Sequence, residues 1–386
     1  MKNNPLNSTL MKVLILSGVW AFLLSFALKT WAAENAPADF GSLYSSDLSG
    51  LAGSGALNSA EVPLSKSSYV VPYSLRGVLT RYEDKVVLNT PDGRVFELKL
   101  GDRQARAYNG KTVEIYAKAK EADELSVLEV KKISEYVPAA GEVIAPYVAQ
   151  RKPARMAGED RASMTLENVR WNKGPVADGV FDWATATIRP DLVKNVYFVK
   201  KPFKPEWIAA HSFFVFTFED GGIVDSAGRK TDALVLTIEA YLKEGQEYSL
   251  TDGLKNKFSI VWLLATWEDY SARTANLEGQ RLIPYPVQMA HAEKAALVRE
   301  SLRQAAVNRE GEYYNTITNN CTNNLVILMN RVLPEQKRVH LWSIPSLIYN
   351  FHATMPVWVP PYLQKKGLLG PELPQVDHAS FPVILP

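Results

Sequence analysis

The chain holds a single cysteine, Cys321, in the stretch Glu312-Tyr313-Tyr314-Asn315-Thr316-Ile317-Thr318-Asn319-Asn320-Cys321-Thr322-Asn323-Asn324, directly ahead of the apolar run Leu325 to Met329. Polar capping residues giving way to apolar ones predict a helix start, with Asn319 or Asn320 as N-cap and Cys321 in the first turn. Unsatisfied backbone N–H groups and the helix dipole favour an anion there, so a thiol at that place loses its proton more readily. The same N–H groups, with Asn319, Asn320 and Thr322 shaping the site, can hold the oxyanion formed when a thiolate attacks an acyl carbon. The competing reading is a small buried thiol without chemistry, which the count alone favours. A purely structural cysteine would sit more naturally among Leu325 to Met329, a few positions later.

A nucleophilic thiol needs a base within hydrogen-bond reach, and five histidines are available: His211, His291, His340, His352 and His378. His211 stands at the entrance to the aromatic stretch Ser212 to Phe218, from which a side chain can face a helix N-terminus packed across the sheet. The other four fit structural roles better: His291 on a charged helix, His340 after a basic stretch, His352 and His378 in or near the tail. One cysteine and no closely spaced histidine pair argue against a metal centre, and no Gly-rich phosphate loop follows a strand. The expectation is therefore neither metal nor cofactor.

These residues must be positioned by a scaffold. Short β-rich runs at Tyr69 to Leu79, Lys85 to Asn89, Val95 to Leu100, Thr112 to Ala117 and Ser126 to Ile133, with a Pro91-Asp92-Gly93 turn, predict a small barrel of the OB or SH3 type over 69–136. It shows no row of exposed aromatic or basic residues, which points to a spacer or docking module. Residues 137–160, rich in proline between Pro138 and Pro153, read as an interdomain linker. The second domain, 161–345, begins with strands at Val196 to Val199, Ser212 to Phe218, Ala233 to Leu242 and Phe258 to Thr266, and Gly221-Gly222 reads as a hairpin turn. It continues with a helix over His291 to Ala306, where Ala295, Leu297, Val298, Leu302 and Ala305 recur at helical spacing. Sheet followed by helices is an α+β domain. The Pro-rich tail, 346–386, should wrap the surface without forming another core. Phe213, Phe214, Phe216 and Phe218 read first as core, with the lining of an apolar groove near Cys321 as the other reading.

With 43 basic against 41 acidic residues there is no electrostatic footprint for nucleic acid. The apolar run Val13 to Leu28, preceded by Lys2 and Lys12 and followed by Thr30-Trp31-Ala32-Ala33, reads as a secretory signal over 1–33, with an uncleaved anchor as the alternative because Lys29 is an odd neighbour for a cleavage site. Residues 34–68, rich in Ala, Gly and Ser, read as a flexible tether. The expected location is the periplasm or outer envelope of a bacterium.

Several of these segments together are similar to the periplasmic domain of bacterial Lnb-type proteins. The resemblance runs in order through Ala210-His211-Ser212-Phe213-Phe214-Val215-Phe216, Ile238-Glu239-Ala240, Gly245-Gln246-Glu247-Tyr248-Ser249, Glu268-Asp269 with Arg273, Tyr314 to Thr322, and Pro360-Pro361-Tyr362-Leu363 with Gly367-Leu368-Leu369. It covers roughly Arg161 to Gly370 and leaves the barrel outside. It implies a circularly permuted papain-like fold in which the histidine strand precedes the cysteine helix in sequence. It also implies a polar residue that orients the imidazole: Glu239 is the choice, with Thr237 or Glu219 as substitutes and a solvent-facing strand carboxylate as the plain reading of Glu239. Tyr314, Asp269 and Arg273 are candidates for pocket support, a structural ion pair being favoured for the last two. The family includes a lipoprotein N-acyltransferase that moves a fatty acyl chain onto an amino group through a thioester. The resemblance thus implies an acyltransferase or acyl hydrolase acting on envelope lipid, lipoprotein or peptide substrates, with association to the membrane surface among the partners. A cysteine peptidase or cell-wall amidase, and an inactive envelope binding protein, are the alternatives.

Overall fold

The computed structural model describes residues 70–120, 127–137, 145–171, 176–207, 209–339, 342–343, 348–349, 355–380 and 385. The apolar run Val13 to Leu28, the tether 34–68, His340 and His352 lie outside them.

The N-terminal strands are β1 (Val70–Tyr82), β2 (Lys85–Asn89), β3 (Val95–Lys99), β4 (Thr112–Lys120) and β5 (Val127–Glu135), with helix α1 (Asp102–Tyr108) between β3 and β4. They close into a barrel in the order β1-β2-β3-β5-β4, in which β3 and β5 run parallel. Period-two alternation puts Leu75 and Leu79 of β1 and Val113, Ile115 and Ala117 of β4 inside, where they meet Leu88, Leu98 and Leu128. Closure leaves no unpaired edge. Gly77 is required by the approach of β1 to β2, since a Cβ there would lie 2.3 Å from the Asn89 carbonyl oxygen. Helix α1 has little local signal, because it is short, lacks a side-chain cap and buries just Ala105.

The second sheet is built from β6 (Arg155–Glu159), β7 (Met164–Arg170), β8 (Trp183–Ile188), β9 (Val193–Pro202), β10 (Ala210–Phe218), β11 (Ile223–Asp225), β12 (Lys230–Thr231), β13 (Ala233–Tyr241), β14 (Phe258–Thr266), β15 (Ile283–Pro286) and β16 (Tyr313–Tyr314). Among the described residues its order is β12-β11-β8-β7-β14-β13-β10-β9-β15, with β6 added to β7 and β16 to β14. The pairing is antiparallel apart from β14 with β7. The helices are α2 (Leu250–Leu254), α3 (Trp267–Ala272), α4 (His291–Ala305), α5 (Cys321–Val332) and α6 (Val359–Lys365), making a mixed α+β architecture.

The central strands are apolar at consecutive positions because both faces of the sheet are covered. Phe214 and Phe216 of β10 and Leu234, Leu236 and Ile238 of β13 face a large core completed by α4 and α5, while Phe213, Val215 and Val235 face a second core closed by Trp267 and Tyr270 of α3. Each fully buried phenylalanine contributes about 1.5–3 kcal/mol. All four aromatic side chains between Phe213 and Phe218 are thus core, and none lines a groove at Cys321.

Two boundaries differ from the sequence reading. Residues 155–159 are not linker but strand β6, paired with β7, and Tyr147 stacks on Tyr241 with ring centroids 3.8 Å apart. Exposure of most of β6 hides its strand character. The tail is also more than a wrap. Val359, Leu363, Leu368 and Leu369 enter the large core, and Val376 and Leu385 the second. Backbone bridges Leu282–Val376 and Val287–Leu369 flank β15, whose Pro284 and Pro286 suit it to the end of the sheet. No helix of the described residues is long and apolar enough to cross a membrane.

Candidate active site

Asn320 is the N-cap of α5, and the cap is reciprocal. The Asn320 Oδ1 accepts from the Asn323 N–H at 3.0 Å, and the Asn323 Oδ1 accepts from the Asn320 N–H at 2.7 Å. Cys321 therefore occupies the first helical position, 2% exposed, with α5 packed on the large core. The other cap candidate, Asn319, is engaged in the loop before the helix. Its side-chain amide donates to Glu312 Oε1 and to the Tyr313 carbonyl, and its oxygen accepts from Asn324.

His211, the second residue of β10, meets this helix start. Burial pushes the Cys321 thiol up, but the charge and hydrogen bond of His211, the Ser212 backbone N–H and the Thr322 hydroxyl, 3.7 Å from Sγ, together bring its pKa below the ordinary thiol value. On the opposite side of the imidazole, Nε2 lies 2.6 Å from Thr237 Oγ1, and the Thr237 hydroxyl donates to Glu239 Oε1 at 3.1 Å. Nε2–H donating to Thr237 leaves Nδ1 for the thiol.

The group that orients the imidazole is thus Thr237, one of the two substitutes, and Glu239 acts one bond further back. Antiparallel register explains this. Thr237 pairs with Phe213, so it shares the His211 face of the sheet and reaches diagonally to the ring. Glu239 is no solvent-facing carboxylate. Burial would raise its pKa, yet Arg151, then His211, Lys201 and Arg170, hold it down at about 2. Arg151 binds it directly and the Tyr270 hydroxyl donates to it at 3.4 Å. Glu219 stands exposed beyond the far end of β10.

Tyr314 places its hydroxyl 4.0 Å from Cys321 Sγ, and the Cys321 backbone N–H donates to it. Burial and the neighbouring thiol keep this phenol protonated. Asp269 and Arg273 lie elsewhere: Asp269, fully buried, pairs with Arg170 and with Arg273 at 2.9 Å, and Arg273 also donates to the carbonyls of Ala177 and Val180. This is an ion pair that ties α3 to the segment before β8, and neither residue lines the cleft. Of the other histidines, His291 and His378 are exposed, and neither lines the cleft.

The cleft has a volume of about 340 Å³. Its lining includes polar groups, His211, Glu239, Arg151 and a Lys201–Glu278 ion pair, and apolar ones, Phe203, Leu242, Leu250, Met355 and Pro356. The sequence reading missed Arg151, Lys201, Tyr270 and Gln280. Lys201 was accessible in principle, since it pairs across from His211 in β9, but Arg151 sits in a Pro-rich stretch with no local signal. Among the described residues no cluster of His, Cys, Asp and Glu could hold a metal ion.

Residues 181–351, which include His211, Thr237, Glu239 and Cys321, match the Lnb N-terminal periplasmic domain family. The match supports placing this segment in that family and the protein outside the cytoplasm. Residues 76–136, the barrel, match a family described as a protein of unknown function (DUF5818). No curated protein and no solved structure matches the chain.

Proposed function

We propose that this chain is an exported thiol enzyme that forms an acyl-enzyme at Cys321, with His211 as base and then acid. The observation that carries the reading is the meeting of a first-turn cysteine, lowered in pKa, with an imidazole held from behind by Thr237 and an ionised Glu239. The Sγ proton passes to His211 Nδ1, and the thiolate attacks the acyl carbon of an ester or amide. The Tyr314 hydroxyl, itself held by the Cys321 N–H, is the donor for the resulting oxyanion. Collapse expels the alcohol or amine, which takes the proton from His211. Water or an amine, deprotonated by His211, then attacks the thioester and regenerates the thiol.

The family match and the apolar lining residues Phe203, Leu242, Leu250 and Met355 support acyl groups of an envelope lipid or lipoprotein as substrate. In the same reading the domain is a circularly permuted papain-like fold, supported by the chain order of histidine strand before cysteine helix. The barrel is of the OB type, supported by its strand order and by the helix between β3 and β4. A peptidase or cell-wall amidase is the second reading. It is favoured by Gln280, a cleft-lining residue whose buried carboxamide oxygen has no hydrogen-bond partner and, once turned into the cleft, would accept from a substrate amide.

Intact mass of the protein after incubation with phospholipid vesicles or with muropeptides tests the proposal. An acyl adduct from phospholipid, absent in Cys321→Ser, is the expected result. Cleaved muropeptides without lipid turnover favour the amidase, and an inert thiol with neither substrate leaves a binding protein.

A further inference from the structure

The barrel is joined to the loop that delivers the nucleophile. Along β1, the Ser74 N–H donates to the Gly311 carbonyl at 2.7 Å, and Tyr73 bridges Glu312 through the backbone. Arg94, at the β2–β3 turn, donates to the carbonyls of Asn308 and Glu310. Gly311 has φ +81°, and a Cβ there would lie 2.5 Å from the Ser74 carbonyl oxygen, so the contact admits only glycine.

Two tyrosines of the barrel extend this contact into the site by separate hydrogen-bond paths. Tyr73 packs against both the barrel core and the large core, and its hydroxyl bonds the buried Glu312 carboxylate. Glu312 in turn accepts from Asn319 Nδ2 at 2.9 Å, and Asn319 is held by Asn324 of α5. Tyr116, pointing out of the barrel between buried Ile115 and Ala117, accepts from Asn256 Nδ2 at 3.1 Å. Asn256 Oδ1 accepts from Asn315 Nδ2 at 2.7 Å, and Asn315 Oδ1 accepts from the N–H groups of Ile317 and Thr318. Both paths end in the loop 315–319 between Tyr314 and the Asn320 cap.

We infer that the barrel is a positioning element of the nucleophile, acting through Tyr73 and Tyr116, and not an independent docking module. The inference rests on the reading of Cys321 as a nucleophile. Groups facing Sγ are His211 from β10, Tyr314 from β16 and Tyr248 from the segment before α2. The hydrogen bonds of the barrel tyrosines go to Glu312 and Asn256 and not to these groups, so both hydrogen-bond paths to the thiol run through the loop.

The test uses the full chain with Tyr73→Phe, Tyr116→Phe and the pair, and exposed Tyr82→Phe as control. Iodoacetamide alkylation of Cys321 is followed from pH 5 to 9, beside hydrogen exchange at the amides of Thr316 to Thr322. Loss of both hydroxyls is expected to slow alkylation at pH 7 about tenfold, to move its midpoint upward and to speed exchange in the loop by a similar factor, as suits one or two lost hydrogen bonds. Each single change is expected to give about threefold, which suffices if the pair is too unstable to purify. Alkylation and exchange curves that overlay those of the unaltered protein overturn the inference. A thiol that is inert in the unaltered protein and in His211→Ala removes the nucleophile reading instead, and loop exchange still decides whether the barrel braces it.

Discussion

Replacing Thr237 by valine removes one oxygen and little volume from a position with no exposure to solvent. That oxygen lies 2.6 Å from His211 Nε2 and joins the imidazole to Glu239. A hydrogen bond to a charged group is worth about 1.5–3 kcal/mol, and one pH unit corresponds to about 1.4 kcal/mol. The neutral imidazole keeps the same bond at about 0.5–1.5 kcal/mol, so only the difference counts, and the midpoint of Cys321 alkylation should rise by about one pH unit. The sign follows from the charge: the bond stabilises the protonated imidazole beside the thiolate, so its loss moves the thiol upward, toward its ordinary value of about 8.5. The assay is the pseudo-first-order rate of iodoacetamide alkylation between pH 5 and 10, comparing the unaltered protein, Thr237→Val, Thr237→Ser and Glu239→Gln. Thr237→Ser, which keeps the hydroxyl, should stay near the unaltered curve, and Glu239→Gln should fall between. The curves should converge only toward pH 10, where the thiol is ionised in every variant. A Thr237→Val curve that overlays the unaltered one refutes the relay, and a uniform drop at every pH points to altered access in its place.

Asp269→Ala leaves Arg170 and Arg273 buried without their carboxylate, at a cost of about 3–5 kcal/mol; a large fall in Tm with an unchanged alkylation midpoint in the folded protein is expected. Glu239, held at about 2 in the folded state, contributes stability that is complete above its unfolded value of about 4.3 and is lost as pH falls toward 2. Urea unfolding should thus show the gap between the unaltered protein and Glu239→Gln narrowing from pH 5 to pH 3. Gly311→Ala should destabilise by about 1–3 kcal/mol, because it combines a left-handed backbone with a clash against β1, and thermal melting reads this directly.

Local chemistry made part of this site legible and left the rest hidden. The start of α5 follows from asparagines preceding an apolar run, and β14 has the same limits in sequence and structure because its apolar residues are bounded by lysine and a capping threonine. The partner of His211 is a matter of strand register. Thr237 and Glu239 are two residues apart on one face, and only the pairing of Phe213 with Thr237 decides which oxygen reaches the ring. Arg151 enters the cleft through contacts between residues far apart in the chain, which no local pattern encodes, while Lys201 follows from the register of β9 against β10. The tail misled for a similar reason, since prolines mask leucines that become core only when β15 is there to receive them.

The arrangement of that tail has a consequence for the order of assembly. Met355 and Pro356, which line the cleft, precede the segment that pairs on both sides of β15, and every residue of it follows the nucleophile helix in the chain. A polypeptide is made from its N-terminus, so barrel, sheet and cysteine helix are all available before this last wall arrives. Joining Val376 to Leu282 closes a long loop, a slow kind of contact to form. In order of synthesis, the residues that complete the cleft around Cys321 are thus the last to arrive.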